Sequence, residues 1–107
     1  MKSLKSIQDV EVLLYTDGEK EEFYPIDEIF FANDKTARLE MKSDKREEKQ
    51  QIIIRLNEDN SFSYKSDLMI DASNFFDLKI ISKNKDEIHL TEVCEAGDDY
   101  VEIILSL

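Results

Sequence analysis

His89 and Cys94 are the side chains best suited to acid–base or nucleophilic chemistry, and each is the only one of its type in the chain. One imidazole and one thiol cannot assemble a four-ligand zinc site. No histidine or basic residue lies beside Cys94 to lower its pKa, so an idle thiol is expected. His89, between Ile88 and Leu90, is expected on the outside of a strand. Carboxylates are abundant, but general acid–base work needs one pair at a set separation in a cleft. The acidic pairs Asp17/Glu19 and Asp98/Asp99 do not fit the twelve-residue calcium loop with its fixed glycine and terminal glutamate. Two glycines are too few for a phosphate-cradling loop. The expectation is a protein that is not an enzyme and carries no metal or cofactor.

What remains is charge. The 107 residues hold 25 acidic and 14 basic side chains, a net charge of −11. Nucleic acid and anionic membrane both bind by exchanging counterions for Lys and Arg, so neither is expected as a direct partner. A basic partner is. The distribution is uneven: residues 1 to 31 contribute −5, residues 32 to 85 contribute +1, and residues 86 to 107 contribute −7.

The elements that must carry these charges are short. Apolar runs separated by turn residues recur every 8 to 14 residues, over Ile7 to Tyr15, Glu21 to Phe31, Ala37 to Lys42, Gln50 to Asn57, Ser61 to Ile70, Phe75 to Ser82, Glu87 to Val93 and Asp99 to Leu105. Their alternation has the strand period of two. Val10, Val12 and Leu14 form one dry face, as do Leu39 and Met41, then Ile52, Ile54 and Leu56, then Phe62, Tyr64, Leu68 and Ile70. Phe76, Leu78 and Ile80 follow, then Ile88 and Leu90, then Val101, Ile103 and Leu105. Short connections favour hairpins between neighbours. The fold expected is all-β, or mainly β with one short helix: about eight antiparallel strands in a meander, barrel-like or strongly curled, with a two-sheet sandwich as the alternative.

Two segments resist a simple strand. Pro25 cannot donate to a ladder, so the run through it must break, bulge or start a helical turn. Asp67 to Phe76 also fits helical spacing, with Ser66 as a cap. The charged stretch Ser43 to Lys49 reads as a solvated loop. One domain spanning residues 1 to 107 is expected. No apolar run is long enough for a membrane helix, and Met1 to Ile7 lacks the apolar core of a secretory signal, which points to the cytoplasm.

If the meander closes, its first and last strands meet and the two acidic ends of the chain merge into one surface. The expected partner-binding residues are Glu11, Leu13, Tyr15, Asp17, Glu19, Glu21 and Glu22 from the first hairpin. Glu92, Glu95, Asp98, Asp99, Tyr100 and Glu102 come from the last, with Asp9 and Glu87 at the margin. Leu13, Tyr15, Tyr100 and Ile104 would stand on the outward parity among carboxylates, the composition of an anchor inside a charged rim. The functional expectation is a small acidic protein that occupies the basic surface of a nuclease or nucleic-acid-binding protein. Immunity proteins against nuclease toxins and phage-encoded inhibitors of host defence nucleases are of this functional type. Two rivals are a barrel holding an apolar ligand, and an accessory subunit that assembles through an unpaired final strand.

Overall fold

The computed structural model describes residues 1–68, 71–93 and 99–107. A short 3-10 turn at Leu4–Ser6 precedes nine strands: β1 Asp9–Thr16, β2 Glu19–Pro25, β3 Phe30–Asn33, β4 Thr36–Lys42, β5 Gln50–Leu56, β6 Phe62–Ser66, β7 Phe76–Lys83, β8 Glu87–Glu92 and β9 Tyr100–Ser106. All pairings are antiparallel. Eight strands close into a barrel in the order β2-β1-β9-β8-β7-β6-β5-β4, with β4 returning to β2 through Tyr24↔Lys42 and Pro25↔Met41. Strand β3 is additional, pairing with the first half of β4.

The break at Pro25 therefore splits the second run into two strands. Proline takes the last position of β2, where it caps the ladder, and the chain crosses Ile26 to Ile29 before re-entering as β3. The β1–β2 hairpin turns at Asp17 and Gly18, with φ of 50° and 83°. Positive φ at both central residues is the type I′ turn, whose twist matches that of the strands, and glycine adopts that conformation without strain. The described residues between 67 and 75 form turns and bends, not a helix, because Ser66 Oγ accepts from Leu68 N (3.1 Å) while donating to Gln51 O (2.7 Å), which holds the chain to the sheet. Residue Ile70 lies outside the described residues.

The barrel is filled by side chains. Phe23, Met41, Ile52, Ile54, Tyr64, Leu90 and Ile103 are each fully buried within one core. Leu4 and Ile7 close one end and belong to that core, held there by Leu4 N donating to Asp34 O at 2.7 Å. Ile80 departs from the expected core: it is 41% exposed. The register shifts between Ile80 and Ser82, and β7 beyond Leu78 has run past its pairing with β6, so its inward side loses its cover. The last strand is not an edge, since β9 is paired on both sides, with β1 and with β8. Among the described residues no helix is long and apolar enough to cross a membrane.

Candidate functional site: the face of the terminal strands

Closure places β1 directly against β9, with Leu13 opposite Glu102 and Tyr15 opposite Tyr100. Side chains alternate across a strand, so the inward set is Val10, Val12 and Leu14 facing Leu105, Ile103 and Val101, and the odd-numbered residues of β1 point out. Reading across strands, Glu22, Leu13, Glu102 and Thr91 form one outward row, and Glu11, Ile104 and His89 form the next. Neighbouring strands are about 4.8 Å apart, so each row is a line of near contacts. Asp9 and Glu87 flank Ser106 at the far end.

This face carries carboxylates around an apolar centre. Tyr15 and Tyr100 are stacked, with ring centroids 4.7 Å apart and planes 10° from parallel. Leu13 points outward yet is only 6% exposed, flanked by Tyr15 and by the stems of Glu11, Glu22 and Glu102. Glu102 Oε2 lies 3.2 Å from His89 Nε2. Burial, and then the Glu102 carboxylate beside it, push the Tyr15 hydroxyl above its usual range. Glu22 is paired with Lys20 at 3.4 Å, an exposed contact of little energetic weight.

Not every expected member lies on this face. Glu21 faces the inside, opposite Leu14. Its carboxylate accepts from Ser43 Oγ at 2.5 Å and from Arg46 Nε and Nη2 at 3.0 and 3.1 Å. Burial alone would raise its pKa, but the bonds from Arg46 and Ser43 outweigh that and hold it below the usual carboxylate range. The charged stretch after β4 is thus more than a solvated loop: it folds Ser43 and Arg46 over the barrel mouth, with Arg46 above the Phe23 ring at 5.4 Å. Glu92 shares the inward parity of Ile88 and Leu90, is buried, and accepts from Val101 N at 3.1 Å. Burial raises its pKa, against the opposing effects of the Tyr64 hydroxyl and the Val101 amide. Both corrections have one cause: a period of two sends alternate residues inward whatever their charge, and a charge at a strand end meets the barrel mouth.

Asp17 and Glu19 are exposed at the β1–β2 turn and Asp99 is exposed just before β9. Glu95 and Asp98, like Cys94, fall outside the described residues. Among the described residues no group of three His, Cys, Asp or Glu side chains is disposed to hold a metal ion. The fold and site define an acidic eight-stranded antiparallel barrel whose terminal strands share one charged, aromatic-centred face. No protein family, curated protein or solved structure matches the chain.

Proposed function

We propose that the chain is a binding protein that uses the outward face of β2, β1, β9 and β8 to occupy a basic surface on another protein, of the kind that otherwise holds nucleic acid. The observation that carries this reading is the merging of both acidic ends of the chain around Leu13 and the Tyr15–Tyr100 stack. Asp9, Glu11, Glu22, Glu87 and Glu102 stand on one rigid sheet, where carboxylates at strand spacing resemble a row of phosphates. Like charges crowded on one face lower stability through self-repulsion, a cost that a dispersed arrangement avoids. The tyrosine rings offer a flat surface to an arginine of the partner, adding cation–π attraction of about 0.5–2 kcal/mol. The filled interior weighs against an enclosed apolar ligand.

The test is capture of a partner from the native host by immobilised protein, followed by association kinetics with the purified partner. A basic nucleic-acid-binding protein is expected, with nucleic acid and this chain competing for it. The variant Glu11→Lys/Glu22→Lys should slow association by about tenfold or more at low salt, with the difference shrinking as salt is raised. Association indifferent to both salt and charge reversal would overturn the reading.

A further inference from the structure

The side of the barrel opposite the terminal strands has the reverse character. In the ring of eight, β5 is four strands from β9 in either direction. Across this side Phe30, Arg38, Ile53 and Lys65 form one outward row from β3 to β6, and Arg55 stands in the next row. Arg38 lies over the Phe30 ring at 4.9 Å and Arg55 over the Phe75 ring at 3.9 Å. Phe30 is 54% exposed. In a chain with 25 carboxylates, Arg38, Arg55 and Lys65 have no acidic partner within 4.0 Å among the described residues. On the strands themselves Glu40 is taken by Lys49 at 3.2 Å and Asp77 stands at the β7 border, while the other acids of this segment, Asp67 among them accepting from Gln51 N at 3.0 Å, sit in the turns at the barrel ends.

We propose that this basic, aromatic face docks the acidic face of a second copy of the chain, head to tail. The two surfaces are complementary in kind: guanidinium and ammonium groups with exposed phenylalanine on one, carboxylates around stacked tyrosines and leucine on the other. Because they lie on opposite sides of one barrel, the contact is heterologous and each bound copy presents both faces again, so the product is an open string of copies. The net charge of −11 opposes this at long range, but the molecule is about 30 Å across and the screening length is about 8 Å at physiological ionic strength. There the touching faces dominate. Association should therefore peak at intermediate salt, being opposed by overall repulsion at very low salt and by screening of the contact at about 1 M. The inference rests on the geometry of the two faces and not on the function proposed above.

The experiment is light scattering on the purified chain over a dilution series at low, physiological and about 1 M salt. The mean mass should rise above one chain with concentration, most at the intermediate salt. Arg38→Glu/Lys65→Glu and Glu11→Lys/Glu22→Lys should each be monomeric alone, while their mixture, holding one intact face of each kind, should associate again. Thermal melts confirm folding, and Arg38→Gln/Lys65→Gln replaces the first variant if it does not fold. A chain monomeric at every salt overturns the proposal, as does self-association that survives both variants. Monomeric protein that binds a single-stranded oligothymidylate through Arg38 and Lys65 overturns it too, and makes this face a nucleic-acid surface. None of these failures touches the acidic face's affinity for a foreign basic protein, which Arg38→Glu/Lys65→Glu leaves intact.

Discussion

Glu92 is a carboxylate held where an apolar side chain would serve packing better. Its folded pKa is raised, mainly by burial, so between the unfolded and folded pKa values the native state binds the extra proton. The stabilising effect of that proton is fully present below the unfolded value, near 4.3, and is lost as pH rises through the folded value. Glu92→Gln keeps an acceptor for Val101 N and removes the buried charge. It should raise stability at pH 7 by about 1 kcal/mol, roughly 4 °C in Tm, with the gain shrinking in melts at pH 4. A variant less stable at pH 7 would show that the charged carboxylate's polar contacts outweigh desolvation. The inward turn of Glu92 was only half legible: its parity with Ile88 and Leu90 places it inside, while its charge argues for the surface.

At the scale of elements, the loop after β4 acts as a lid stapled by Arg46 to Glu21 across 25 residues of sequence. Arg46→Ala leaves a half-buried carboxylate with only Ser43 for a partner and should cost about 2 kcal/mol. Glu21's folded pKa is lowered, so its contribution is present above the unfolded value and is lost as pH falls through the folded one. The Arg46→Ala penalty should thus shrink in urea melts at pH 3; an unchanged penalty would locate it in the Phe23 contact instead. Strand periodicity made most of the barrel readable, from Val10 to Leu105, because alternation and inward packing obey the same period. The lid was unreadable for the same reason. Ser43 and Arg46 carry no periodic signal, and mixed charge in a loop looks the same whether solvated or engaged. Phe30 and Phe75 were hidden by their flanks, the break after Pro25 and the turns before β7.

For the whole molecule, the charge sums of the three segments were legible but their meaning was only half so. Closure brought Asp9, Glu11 and Glu22 beside Glu87 and Glu102, while Glu21 and Glu92 turned inward. The central segment's near-neutral total concealed a second face, because most of its acids sit in turns while Arg38, Arg55 and Lys65 occupy outward strand positions. With a net charge of −11, repulsion within the fold should make thermal stability rise with added salt, by several degrees between low and about 0.5 M sodium chloride. A fall would mean that the few ion pairs matter more than the excess.

The ring is fastened shut by only two residue pairs, Tyr24↔Lys42 and Pro25↔Met41, while its other seams have three to seven. Those two pairs join residues distant from the polypeptide's final strand, so the barrel can be assembled along every other seam and still stand open as a curved ribbon. This clasp is where the closed form should first yield under denaturant, and the amides of Tyr24 and Lys42 should exchange with solvent sooner than those of β1 and β9.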